Sequence, residues 1–354
     1  MRRLSNSTRT LGIAACVLAT GCGRGSQAGL LPAQSPVVSA QSILGRPQPL
    51  TAKNLYVVNL RTNSLKGSVA IYKPGTNSPL RVITTGIDVP TSEAFDSSGN
   101  LYVSNRASNA ITVYAPGAST PSASITTGVS GPLVVALDSA GNVYVGNKTT
   151  KDVTVYAATT YTPLKKITSC IKYPGAIAFD SSGGLYVANG NGSPAPYSIC
   201  VFRGKNTYTI TSGIDDPYAM AFDTAGNLFV ANYGANDVTI YTPGSTKVAK
   251  TLTLDVSAPD ALAFDSVHNL YVANTSANRV TVYRPGSLTL LAKITAGINN
   301  PAFMAFGSSK FLNVANVALG SDPGSVTEYP PGKTALNREL THGIDTPVWL
   351  AFGP

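Results

Sequence analysis

Histidine is nearly missing from this chain. Two, His268 and His342, occur in 354 residues. Glutamate is almost as scarce, at Glu93, Glu328 and Glu339. A histidine general base or a histidine-rich metal centre is therefore poorly supplied. Charged residues make up 12%, and there is one tryptophan, Trp349. No run of five or more Lys/Arg occurs, and no aromatic–basic binding motif accompanies the charge, which argues against a nucleic-acid partner. No Ser-His-Asp set and no phosphate loop can be assembled. Beyond the N-terminal region no apolar stretch approaches the roughly 20 residues of a spanning helix.

What is abundant is glycine (33), proline (24) and β-branched and tyrosine-rich segments. One phrase, LYVxN or a close variant, returns seven times: Leu55–Asn59, Leu101–Asn105, Val143–Asn147, Leu185–Asn189, Leu228–Asn232, Leu270–Asn274 and Leu312–Asn316. The terminal asparagines are 46, 42, 42, 43, 42 and 42 residues apart. A fixed period in the low forties with all-β patterning predicts a β-propeller.

Each repeat reads as four strands. In the unit opening at Pro217, PYAMAFD is followed by a TAGN turn, LFVAN, a loop, DVTIY, a TPGS turn and KTLTL. The aspartates Asp96, Asp138, Asp180, Asp223 and Asp265 open the first turn, where a carboxylate accepts bonds from the amides that follow. They are read as turn caps, and the seven asparagines likewise as residues that serve the blade. The AFD-like strand precedes LYVxN only six times, and the chain ends in PVWLAFGP, Pro347 to Pro354. That orphan strand fits the vacant inner place of the first blade and would remove two open edges. The expectation is an all-β, seven-bladed β-propeller over residues 51–354, closed by three N-terminal strands and one C-terminal strand.

The phrase P-x-x-h-A-F-D-x-x-G-N-L-Y-V-A-N, followed by N-x-V-x-V-Y, resembles the NHL repeat. It also resembles the streptogramin-lyase-like and gluconolactonase-like propellers of bacteria. The resemblance covers Asn54 to Pro354 and is specific for architecture, because repeats encode blades rather than a site. NHL repeats commonly end the second strand in Asp, whereas all seven copies here end in Asn. The lyase-like relatives imply His with a metal, and the gluconolactonase-like ones a carboxylate-centred divalent cation.

The N-terminus reads as an export signal over residues 1–21, with Arg2, Arg3 and Arg9 before the short apolar run Leu11–Ala19. It leads into Leu18-Ala19-Thr20-Gly21-Cys22, which resembles a bacterial lipobox with Cys22 as the lipidated residue. Residues 22–50 are rich in Gly, Ser, Gln, Pro and Ala and read as a flexible tether. The expected location is the bacterial outer membrane or cell surface, held by the lipid alone, or the secreted fraction. In an exported chain, Cys170 and Cys200 interrupt their repeats in adjoining blades and suggest a disulfide, the alternative being two small buried thiols. Net charge is +9, and +6 once the three leader arginines are removed.

Any binding or chemistry is expected on the loops that enter each first strand and leave each second strand, since these share one face. Blades two to four would present Arg106, Lys148 and Lys172 there, with Tyr173. Blade five would present Asp216, Tyr218 and Tyr233. Such a face suits a protein or a cell-envelope glycan, bound by a monomer without cofactor. The competing reading is a metal-dependent lactonase or lyase using Ca or Mg at the central channel. Its candidates are Glu93, which stands where other blades carry apolar residues, with Asp260 and Asp345.

Overall fold

The computed structural model describes residues 53–60, 66–192, 194–317 and 323–354. They form seven four-stranded antiparallel sheets arranged in a ring. The inner strands are Pro90–Phe95, Pro132–Leu137, Pro174–Phe179, Pro217–Phe222, Pro259–Phe264, Pro301–Phe306 and Pro347–Gly353. The last of these belongs to the first blade. It pairs with Asn54–Asn59, which continues to Ser68–Tyr72 and Arg81–Ile83. The ring is thus closed by three strands from one end of the chain and one from the other. No helix among the described residues is long and apolar enough to cross a membrane. The export signal, Cys22 and the tether lie outside the described residues.

Alternation along the inner strand explains how the blades pack. The strand presents successive side chains to opposite faces of its sheet, and those faces meet the two neighbouring blades. The phenylalanine that ends an inner strand therefore meets the aromatic residue at the second place of LYVxN in the preceding blade. Tyr56–Phe95, Tyr144–Phe179, Tyr186–Phe222, Phe229–Phe264 and Tyr271–Phe306 all cross edge to face, with centroids 4.8–5.1 Å apart. That is the geometry the ring quadrupole favours. Two seams depart from it. Blade three carries Leu137, and Tyr102 meets Tyr161 instead. Blade seven carries Asn313, buried with an unpartnered Oδ1, ahead of Phe352.

Polar side chains then fix the connections. Asp96 Oδ1 accepts from the amides of Ser98 and Asn100, and Oδ2 from Asn100 Nδ2. Asp138 and Asp265 repeat this arrangement. The terminal asparagines staple each blade to the loop that enters it. Asn232 Oδ1 accepts from Asp215 N, while Nδ2 donates to Gly213 O, Asp237 Oδ1 and Thr239 Oγ1. Asn59, Asn105, Asn147, Asn189, Asn274 and Asn316 also accept a loop amide and donate inward. An aspartate can accept but not donate, so the amide is what this geometry requires.

The third strand adds a second staple. Tyr72, Tyr114, Tyr156, Tyr241, Tyr283 and Tyr329 donate their hydroxyls to His342 O, Thr85 O, Thr127 O, Ser212 O, Leu254 O and Ala296 O. Blade four has Phe202 at this place, paired opposite Leu185 as Tyr241 is opposite Leu228. The same two segments are there joined by the Cys170–Cys200 disulfide, with Cα atoms 5.9 Å apart. Cys170 has φ 69°, the left-handed backbone that Gly128 and Gly213 adopt at the matching turns.

Candidate functional site at the loop face

The opening proline of each inner strand pairs with the terminal asparagine of the second strand, so both ends lie on one face. Pro90 faces Asn105, Pro217 faces Asn232 and Pro259 faces Asn274. In blades two to seven the register slips immediately after that proline. A bulge re-aims the residue it contains. Here that residue is Thr91, Leu133, Gly175, Tyr218, Asp260 or Ala302 in turn. Tyr218 and Asp260 are therefore equivalent residues of adjacent blades at the mouth of the ring.

Around them the loops gather an aromatic and acidic cluster. Tyr233, the residue after Asn232, stacks on Tyr218 at 4.3 Å with an 18° interplanar angle. Asp260 is 5% exposed, and its Oδ1 has no hydrogen-bond partner. Burial drives its carboxyl well above the ordinary range; the Thr275 hydroxyl opposes this and the charge of Asp216 adds to it. Asp216 is half-buried and also raised, chiefly by burial, against the stabilising Gly192 amide that donates to it at 2.9 Å. Asp260 and Asp216 lie within electrostatic reach of both Tyr218 and Tyr233, whose hydroxyls burial holds in the neutral form. Tyr197 senses Asp216 and Asp215 from the neighbouring loop.

The basic half is looser. Lys148 Nζ lies 4.9 Å over the Tyr173 ring. The Lys172 and Tyr173 amides donate to Asn189 Oδ1, so that loop is held by its blade while the Lys172 side chain is exposed. Arg106 is exposed on the blade-two loop, its amide bonded to Val89 O. The seven expected ligand-binding residues thus divide. Tyr218, Tyr233 and Asp216 form one group, the Lys148–Tyr173 pair adjoins it through Tyr173, which lies within electrostatic reach of Tyr218, and Arg106 and Lys172 stand on the rim.

The three candidate metal ligands are dispersed. Asp260 belongs to blade six, while Asp345 precedes the inner strand of blade one and donates its amide to Asn59 Oδ1. Glu93 is the fourth residue of the blade-two inner strand, and its side chain turns into the seam with blade one instead of lining the channel. Its neighbour Ser92 faces the other way, accepting from Val135 N of blade three, and alternation does the rest. The equivalents Val135, Ile177, Met220, Leu262, Met304 and Leu350 are all buried core residues. Among the described residues, no three His, Cys, Asp or Glu side chains are grouped as a metal site needs. His268 lies in the turn on the opposite face with φ 67°, and His342 follows the last outer strand.

Two features escaped the sequence reading. Asp260 is a member of the tyrosine cluster, and Phe303 stacks on Trp349 at 4.3 Å across the seam of blades seven and one. Both follow from aligning inner strands residue by residue, which shows the second and third places varying while the fifth is always Ala.

No family model matches the chain, and no curated protein does. Solved structures do. A functionally unknown protein from Desulfotomaculum acetoxidans matches at 17% identity, over 85% of this chain and 99% of that one, with a TM-score of 0.68. Hydrazine synthase of Kuenenia stuttgartiensis matches at 15% identity, over 88% and 99%, with a TM-score of 0.67. Virginiamycin B lyase from Staphylococcus aureus matches at 12% identity, over 73% and 85%, with a TM-score of 0.60. At these identities the likeness concerns fold alone: the chain is an all-β, seven-bladed propeller.

Proposed function

We propose that this protein is a non-catalytic binding propeller of the bacterial cell envelope. In this reading it is exported, tethered through a lipid on Cys22, and engages a protein or an envelope glycan through its loop face. The observation that carries the reading is the clustering of Tyr218 and Asp260, at the bulged starts of adjacent inner strands, with Tyr233 and Asp216 from the loops beside them. Stacked aromatics beside desolvated carboxylates are a recognition surface in chemical terms. The scarcity of histidine and the turn of Glu93 into the blade seam, away from the channel, weigh against the metal-dependent lactonase or lyase alternative.

Retention on isolated cell-envelope fractions tests this. A Cys22→Ser chain, which cannot take the lipid, is compared with the same chain carrying Tyr233→Leu on the loop face or Val267→Glu in the opposite turn, where Val267 is 65% exposed. Loss of retention in Tyr233→Leu alone is expected. Digesting the fractions with protease or with a glycan hydrolase beforehand separates the two partner classes. Equal retention of all three chains would refute the loop-face reading.

A further inference from the structure

Resting on the loop-face reading, we propose that the Tyr218–Tyr233–Asp260 cluster takes an organic cation, an alkylammonium or guanidinium group carried by the ligand. Three observations converge. Asp215, Asp216 and Asp260 sit on the loops and strand starts of blades five and six. Among the described residues none of the three makes an ion pair. Asp260 Oδ1 is buried without a donor, and a buried acceptor left unmatched is unfavourable until a ligand supplies the proton. Beside it, the stacked pair offers the face of half-buried Tyr233, whose quadrupole attracts a cation. The same loop face already holds one such contact, Lys148 Nζ over Tyr173.

A neutral hydroxyl would satisfy Oδ1 yet recover nothing from the other carboxylates or from the ring face. An ammonium gains from all of them, and it favours the ionised form that burial otherwise penalises at Asp260. The ligand chemistry is thus read from charge and not from shape. A lysine or arginine side chain and an amino sugar would both present it.

The test is a calorimetric titration of the full chain with small probes. Nα-acetyl-lysine methylamide is paired with its Nε-acetylated form, and glucosamine with N-acetylglucosamine. Tetramethylammonium serves as the bare cation. The cationic member of a pair should bind at least about tenfold tighter than its neutral partner. Asp260→Asn and Tyr233→Leu should each remove that difference while the near-ultraviolet spectrum of the fold is kept. Which pair shows the larger difference distinguishes peptide from amino-sugar sources. Equal binding of charged and neutral probes, or an Asp260→Asn variant that binds as tightly as the native chain, overturns the cation. Absence of probe binding together with a Tyr233→Leu variant that still loses envelope retention also overturns the cation, and leaves the loop face standing. Absence of both effects overturns the two together.

Discussion

Glu93 makes the stability of this propeller fall as pH rises, and replacing it isolates that effect. The side chain is 2% exposed in the seam between blades one and two, and neither oxygen has a hydrogen-bond partner. Burial raises its carboxyl well above the ordinary range; the Ala351 amide lies close enough to oppose this slightly, but short of hydrogen-bond geometry. The folded chain therefore holds a proton that the unfolded chain releases above about pH 4.5. Linkage gives a slope of about −1.4 kcal/mol per pH unit from there up to the folded-state value. Glu93→Gln removes this residue's share of the slope and leaves that of Asp260 and Asp216, whose carboxyls burial also raises. Any cost of the buried amide is the same at every pH, so it cancels when pH profiles are compared. Glu93→Leu, which restores the apolar type of the other six blades, should add about 1–3 kcal/mol near neutrality. That corresponds to a Tm rise of roughly 2 °C per kcal/mol. Urea unfolding of the native chain and both variants between pH 4.5 and 8 measures this directly. Parallel profiles for native and Glu93→Gln chains would show that the carboxyl is solvated in the fold and carries no raised proton affinity.

Other positions yield further expectations. Reducing the Cys170–Cys200 bridge, which spans 30 residues, should lower stability by about 3–4 kcal/mol on a loop-entropy basis, measured by urea unfolding with and without reductant. Asn147→Asp should destabilise by more than Asn274→Asp. Nδ2 of Asn147 donates to Asp152 Oδ1 at 2.8 Å, whereas Asn274 Nδ2 donates to the neutral acceptors Val272 O and Thr281 Oγ1. The difference in midpoint should widen above pH 5, where two carboxylates would face each other. Asn313→Tyr should restore the missing edge-to-face contact with Phe352 and add about 0.5–1.5 kcal/mol. A loss of stability there would show that the seam has closed around the asparagine.

The architecture was legible because it repeats. Seven LYVxN strands but six AFD strands already located the closing strand at Pro347, and the alternation of apolar and polar residues within each copy named the strands. The capping aspartates were legible for the same reason, since a local turn is encoded by its neighbours. What could not be read were contacts between blades. Tyr186 and Phe222 are 36 residues apart, and only the ring geometry brings the second residue of one phrase onto the last residue of the next. The third-strand tyrosines look like turn residues in the sequence, yet their hydroxyls reach back to the loop of the preceding blade. Glu93 illustrates the limit most clearly. An acid in an inner strand suggests the channel, but strand faces address neighbouring blades, and parity of position decides which one. At the loop face the residue types were visible, while the pairing of Asp260 with Tyr218 depended on a bulge that no local pattern announces.

Site-specific photo-cross-linking in intact cells asks whether binding takes place at the loop face. A photoreactive residue is placed at Lys172 on the loop face in one chain and at Val267 on the opposite face in another. Adducts are expected from position 172 that disappear when Tyr233→Leu is added, and none from position 267. Adducts from position 267 alone, or equally from both, would show that the loop face is not the binding surface.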